Sequence, residues 1–242
     1  MYLDRNGNIV QSNMDGGDTA QRTGFLESAL RIRDLLGIGC SNIKEKIKPW
    51  DFQTQWPTLM DRGQLIRNPI NWNDPKDTSR DQTTPMIIAF GLNRMDIQIK
   101  SIMPRGFMLN KYQNADIASP DNMAVIDRAL GIKPSWLGDY WAYWGIKLRC
   151  SQAAKNPDDV GDDLNCLIES VYSSLVFPTA QSTKNLKFYL NNRPINFGVS
   201  KLGHIDPVVG ALYWYFRADA GGNPELAEAW EPIIYTLRER LK

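Results

Sequence analysis

The chain has 242 residues, with 28 Lys and Arg against 27 Asp and Glu, and a formal net charge of +1. Its 43% hydrophobic and 10% aromatic content is that of an ordinary globular protein, which excludes a disordered chain. Near-neutral charge disfavours nonspecific binding to nucleic acid, because that binding needs an excess of Lys and Arg. Three widely spaced cysteines and a single histidine indicate neither a disulfide framework nor a zinc site, and no metal or other cofactor is predicted.

The first residues lack the basic and then apolar pattern of a secretory signal. No apolar stretch reaches the roughly 18 to 20 residues that a membrane span needs. We therefore expect synthesis in the cytoplasm without a signal peptide and without membrane association, and incorporation into a virus particle stays open. No Gly/Ser-rich or Pro-rich linker divides the chain, so a single helical domain is predicted over residues 1–242.

Apolar residues recur at helical spacing along most of the chain. The stretch from Trp50 to Pro75 is the exception, since its tryptophans, prolines and Asn-Asp pairs favour a long loop with one extended piece, Gln64 to Arg67. The aromatic side chains of the segment 136–150, Trp141 and Trp144 among them, are expected mainly in the core. The fold class predicted is all-α, a compact array of antiparallel helical hairpins with long loops in the N-terminal half. The predicted helices are 18–37, one beginning at 79, 119–131, 136–150, 163–177, 184–191, one beginning at 207 and one beginning at 223.

Two loop-to-helix junctions resemble each other. The first, DGGDTAQR, contains Asp18 and Arg22, and the second, DPKDTSRDQ, contains Arg80, Asp81 and Gln82. Each brings carboxylates, an arginine and a glutamine to the start of an apolar helix, where the helix dipole favours an ionised carboxylate. Helix capping and local ion pairs are the purely structural interpretation. Arg80 and Asp81 are adjacent and cannot share one helix face, so at least one of them is expected to point into a cleft.

Paired carboxylates beside tryptophans are typical of glycan chemistry. One acid protonates the leaving oxygen, the other activates water or attacks the sugar, and flat rings stack on sugar faces. His204 is the only histidine and is either a hydrogen-bonded structural residue or a group near the substrate. The predicted catalytic residues are Asp18 and Asp81, and the predicted substrate-binding residues are Arg22, Arg80, Gln82, Trp72 and His204.

The DGGDTAQRTG start and the SRDQTTP junction resemble the α/α-toroid proteins, also called six-hairpin glycosidase-like, and uncharacterised proteins of bacterial viruses. The resemblance covers about the first 90 residues by motif. It implies a ring of antiparallel helix pairs whose loops form a carbohydrate cleft at one end, with Asp18 and Asp81 as the acid and base. A full ring of twelve helices needs about 300 residues or more, so this chain is expected to form a partial or compact version.

Two functions remain open from the sequence. The first is a glycan-directed protein, either a glycoside hydrolase or a carbohydrate binder. The second is a noncatalytic structural protein, such as a bacteriophage virion component, that associates with itself or with other virion proteins. Near-neutral charge favours close assembly in that case.

Overall fold

The computed structural model describes residues 2–10, 18–48, 50–70, 73, 78–102, 120–153, 160–192, 206–219 and 222–242. Most of these residues are helical, which confirms the all-α prediction. A 3₁₀ helix at Trp56–Leu59, a π-helix at Trp214–Asp219 and a small hairpin of β1 (Met60–Asp61) and β2 (Gln64–Leu65) complete the described elements. The α-helices are α1 (Thr19–Leu36), α2 (Ser41–Lys46), α3 (Phe52–Gln55), α4 (Arg80–Leu92), α5 (Asp96–Ile102), α6 (Pro120–Ala129), α7 (Trp136–Ala153), α8 (Val160–Leu175), α9 (Ala180–Asn192), α10 (Pro207–Tyr213) and α11 (Pro224–Arg240).

Helix α1 is almost entirely enclosed by the rest of the fold. It ends at Gly37, whose φ of 74° is the left-handed conformation expected of a C-terminal glycine. At the other end Asp18 occupies the N-cap position, but its carboxylate makes no capping hydrogen bond. The capping role that the sequence allowed for Asp18 is therefore wrong, and the carboxylate is directed to other partners.

Helix α4 runs parallel to α1 and lies very close to it. A Cβ added at Gly24 would lie 2.6 Å from the carbonyl carbon of Pro85, so the two backbones touch there. Pro85 donates no hydrogen bond, and its buried carbonyl accepts one from the Ser28 hydroxyl at 3.4 Å. On the side facing α11, Phe25 packs against Trp230 with ring centroids 4.6 Å apart.

The parallel arrangement extends from α4 to α6 and α8. Thr84 donates to Asn122 at the starts of α4 and α6, and Gly91 lies against Ala129 near their ends. The hydroxyl of Tyr172 in α8 also lies beside Gly91. The amino termini of α1, α4, α6 and α8 consequently share one end of the molecule.

The later helices pack as consecutive pairs, α6 with α7, α8 with α9, and α10 with α11. Asp206 and Arg238, which are ion-paired, and Tyr213 and Glu231, 2.9 Å apart, show that α10 and α11 are antiparallel. The buried core is formed mainly where these helices face α1 and α4.

Two sequence expectations are corrected. The stretch from Trp50 is not a plain loop, because α3, the 3₁₀ helix and the β-hairpin occupy it, although the extended piece at Gln64 is confirmed as a two-residue strand. The aromatic segment 136–150 is helical as predicted, but Trp141 and Trp144 are 49% and 43% exposed rather than buried. The buried side of α7 is instead occupied by Asp139 and Ile146.

Replacing Gly24 with alanine tests the contact between α1 and α4. Alanine favours a helix by about 1 kcal/mol over glycine, yet the new methyl group would overlap the Pro85 backbone. We expect Gly24→Ala to lower the free energy of unfolding by about 1 to 3 kcal/mol, measured by urea denaturation. The control is Gly138→Ala in α7, where the added Cβ meets Ala124 at an ordinary 3.5 Å and should be neutral or stabilising. A Gly24→Ala protein as stable as the wild type would contradict the close approach.

Candidate functional site

The starts of α1 and α4, far apart in the chain, meet through the Asp18 carboxylate. The side-chain amide of Gln82 donates to Asp18 Oδ1 at 3.0 Å. The amide oxygen of Gln82 accepts from the backbone N–H of Ser79 at 2.9 Å and from its hydroxyl at 2.6 Å. Gln82 therefore forms a capping box with Ser79 in the first turn of its own helix and binds Asp18 at the same time.

A second donor to Asp18 comes from the chain that follows β2. The guanidinium of Arg67 lies 3.0 Å from Asp18 Oδ1, with 31% of the Arg67 side chain and 21% of the Asp18 side chain exposed. The Arg67 carbonyl accepts from the backbone N–H of Ala20, which holds this segment against the first turn of α1. Asp18 is thus a partly exposed, ion-paired carboxylate.

Tyr215 contacts Asp18 and Gln21 through its hydroxyl group. It lies in the π-helix, a rare conformation that is frequent at functional sites. Its hydroxyl donates to Gln21 Oε1 at 3.0 Å and lies 3.4 Å from Asp18 Oδ2. Burial raises the pKa of Tyr215 above its usual range, and the charges of Asp18 and Asp81 act in the same direction while Arg22 opposes them. The hydroxyl therefore stays protonated and is a permanent hydrogen-bond donor.

Arg22 lies in the protein interior, next to Tyr215. It is fully buried, and its guanidinium carbon lies 5.7 Å from the ring centroid of Tyr215 and 5.5 Å from that of Phe216. Burial lowers the pKa of Arg22 below its ordinary value, and Tyr215 and Asp18 act in the opposite direction. Arg22 therefore supplies positive charge from inside the protein.

Arg80 and Asp81 both contact α8, although their adjacency predicts that they lie on different faces of α4. The Arg80 guanidinium forms a buried ion pair with Glu169 of α8 at 2.6 Å. The half-buried Asp81 accepts a 2.5 Å hydrogen bond from the side-chain amide of Asn165, also in α8. Helix α8 therefore orients both residues.

Five of the predicted residues and four that the sequence analysis missed lie at or beside the starts of α1 and α4, and we call these nine residues the polar cluster. Two predicted residues, Trp72 and His204, lie outside the described residues. The missed residues have no local sequence signal, because they approach the cluster from remote parts of the chain. The polar cluster consists of Asp18, Arg22, Arg80, Asp81 and Gln82 with the newly found Arg67, Asn165, Glu169 and Tyr215.

Two cavities lined by described residues lie away from the polar cluster. One, of about 350 Å³, lies beside Glu27, Trp50 and Phe52. The other, of about 690 Å³, lies near the carboxyl ends of α4 and α6, next to Arg94 and Gly131. The polar cluster lies at the opposite ends of those helices, so its chemistry is separate from both cavities.

The chain matches no protein-family model, no curated protein and no solved structure. Within the described part of the chain, no group of three or more His, Cys, Asp or Glu residues is placed to hold a metal ion. Cys40 and Cys166 are buried. No helix among the described residues is long and apolar enough to cross a membrane.

Tyr215 is expected to make the free energy of unfolding fall as the pH rises into the alkaline range. A tyrosine in the unfolded chain loses its proton near pH 10, whereas partial burial raises the pKa of Tyr215 in the folded protein. The stability linked to this proton is complete below about pH 10 and is lost above it, by about 1.4 kcal/mol per pH unit, until the folded-state pKa is reached. Tyr172 and Tyr213, whose pKa values burial also raises, contribute in the same direction.

We therefore expect Tyr215→Phe to reduce the slope of the free energy of unfolding against pH above pH 10. The measurement is urea denaturation at a series of alkaline pH values. Tyr2→Phe, at a side chain that is 49% exposed, is the control and should keep the wild-type slope. An unchanged slope for Tyr215→Phe would contradict the assigned protonation of this hydroxyl.

Proposed function

We propose that this protein is glycan-directed and acts as a glycoside hydrolase in which Asp18 and Asp81 are the catalytic carboxylates. The observation that carries the proposal is that Gln82 hydrogen-bonds Asp18 from the same helical turn that contains Asp81. Both carboxylates are partly exposed to solvent. Hydrolysis of a glycosidic bond uses a pair of carboxyl groups that flank the bond.

The contacts favour different roles for the two carboxylates. Asp18 accepts hydrogen bonds from Gln82 and from the charged Arg67, an environment suited to an ionised group that activates water or attacks the sugar. That assignment leaves Asp81, bound by the neutral amide of Asn165, as the acid that protonates the leaving oxygen. Carboxylates in unlike surroundings are the usual basis for such a division of roles.

The helix ends supply the electrostatic setting. The amino termini of α1, α4, α6 and α8 lie together, and each carries partial positive charge that favours anionic groups nearby. Arg67 adds a partly exposed cation, which is placed to bind a substrate oxygen. Arg22, Arg80 and Gln82 are buried, so we assign them the positioning of the carboxylates rather than direct contact with the substrate.

Two further residues are included in the proposal on the basis of the sequence alone. Trp72 would stack on a sugar ring, and His204 would contact the substrate. The helix packing supports a partial α/α-toroid, because parallel helices that present their starts at one end, followed by paired helices, are the expected elements of such a ring. A carbohydrate cleft would then lie at the end that contains the polar cluster.

Removal of either carboxylate tests the mechanism. We expect Asp18→Asn and Asp81→Asn each to lower the rate of polysaccharide cleavage by about 10²- to 10⁴-fold, because one proton-transfer group or nucleophile is lost. The measurement is release of reducing ends from a panel of bacterial capsular and cell-wall polysaccharides, with circular dichroism to establish that the variants fold. Asp96→Asn is the control, since Asp96 is exposed and lies beyond the far end of α4.

Two results would end the hydrolase proposal. One is a wild-type protein that cleaves no member of the panel, and the other is an Asp81→Asn variant that cleaves as fast as the wild type. A wild-type protein that binds a polysaccharide of the panel without cleaving it would leave the carbohydrate-binder form of the proposal.

The competing proposal is a noncatalytic assembly protein, such as a virion component. It is favoured by the partners of Asp18 and Arg80, whose side chains are engaged by Arg67, Gln82 and Glu169 within the protein. In that case Asp18→Asn would lower the free energy of unfolding without any activity to lose. Light scattering would then show concentration-dependent assembly of the wild-type chain, and a strictly monomeric protein would contradict this alternative.

A further inference from the structure

Helix α7 carries an exposed face of aromatic side chains on the outside of the molecule. Trp136 is 72% exposed, Leu137 53%, Tyr140 36%, Trp141 49% and Trp144 43%. With about 3.6 residues per turn, these positions fall within one side of the helix, over about 12 Å of its length. We call these five residues the α7 aromatic face.

The rings of the α7 aromatic face hold one another in place. Trp136 and Tyr140 are stacked, with centroids 5.5 Å apart and planes inclined by 20°. Tyr140 also contacts Trp141 and Trp144 edge to face, each at 6.3 Å. These contacts restrict the side chains before any ligand binds, so less conformational entropy is lost on binding.

Lysine side chains lie against the rings of α7. Lys147 lies 4.9 Å above the Trp144 ring, and Lys184 of α9 lies 5.3 Å above the Tyr143 ring next to it. Lys187 is a further exposed cation on α9, a helix whose sequence contains no acidic residue. The acid of α7, Asp139, is buried in an ion pair 2.8 Å from Arg128.

We propose that the α7 aromatic face binds an acidic polysaccharide. The C–H groups on the face of a sugar ring suit the negative face of an indole or phenol ring, and the sugar carboxylates suit the lysine ammonium groups. The ligand class is shared with the proposed function, but the surface is separate from the polar cluster and binding here requires no turnover.

Two other occupants fit less well. A second copy of the chain would bring lysines against lysines, and the exposed area, on the order of 500 Å² from typical aromatic side-chain areas, is below the roughly 800 Å² per partner of a standard interface. In an anionic bilayer the aromatic face would enter the boundary with the hydrocarbon. Lys147 lies over Trp144 on that same side and would carry its charge inward.

Binding is tested with the full chain and three acidic polysaccharides, polygalacturonate, alginate and hyaluronan, by isothermal titration calorimetry at low salt. We expect the wild type to bind at least one of them, and Trp136→Ala, Trp144→Ala and Lys147→Gln each to weaken that binding about tenfold. Tyr235→Ala, at an aromatic residue of α11 that is 45% exposed, is the matched control and should bind as the wild type does. Since the substituted side chains are exposed, circular dichroism should show the fold unchanged.

The charge requirement is tested with fully methyl-esterified polygalacturonate, which keeps the sugar backbone and removes its carboxylates. If polygalacturonate binds, the ester should bind at least about tenfold more weakly. If only alginate or hyaluronan binds, that binding should weaken as salt is added, because screening reduces charge pairing.

The proposal is overturned by several results. These are no binding to any of the three polymers, unchanged binding by the three α7 variants, binding only to phosphatidylserine-containing vesicles, or dimers that the α7 variants abolish. Asp81→Asn separates the two proposals. If it loses polysaccharide binding while the α7 variants keep it, the polar cluster is the binding site and the α7 aromatic face is not; if it loses cleavage alone, both proposals stand.

Discussion

The close parallel packing of α1 on α4 is the constraint on which the rest of the arrangement depends. Gly24 allows the two backbones to touch at Pro85, and this contact sets the relative height of the two helices. At that height the first turns are level, so Gln82 of one helix reaches Asp18 of the other. A larger side chain at position 24 would separate the helices, and the hydrogen bond between their first turns would lengthen with them.

The polar cluster is stable because its buried members bind one another. Buried polar groups cost free energy unless they are paired, and here residues from α1, α4, α8, the π-helix and the segment after β2 supply the partners. Four helix starts at the same end favour the carboxylates electrostatically. The geometry of the polar cluster is therefore set by contacts within the protein, which would suit a catalytic site and would equally suit a rigid scaffold.

The polar cluster and the α7 aromatic face differ in how they meet solvent. In the cluster most polar groups are buried, and Asp18, Arg67, Asp81 and Tyr215 remain partly exposed. On α7 the large aromatic rings are exposed to solvent. The ion pair of Arg128 with Asp139 is buried beneath the helix. Exposed rings cost free energy in water, so a face of this size is explained most simply by a ligand that covers it.

The sequence alone determined the longer helices, because helical spacing, the glycine at position 37 and the spacing of Ser79 and Gln82 are local signals, but it did not predict the short helices α2, α3 and α5. It could not determine that Asp18 binds Gln82 and Arg67 instead of capping its helix, since those partners are 64 and 49 residues away along the chain. The sequence also predicted that Trp141 and Trp144 lie in the core. That prediction is wrong because hydrophobicity predicts burial only on average, and Asp139 and Ile146 occupy the buried side of α7 instead. The partners of Asp18 and the exposure of Trp141 and Trp144 depend on tertiary packing, because packing decides which face of a helix has a neighbour and which remote side chains meet.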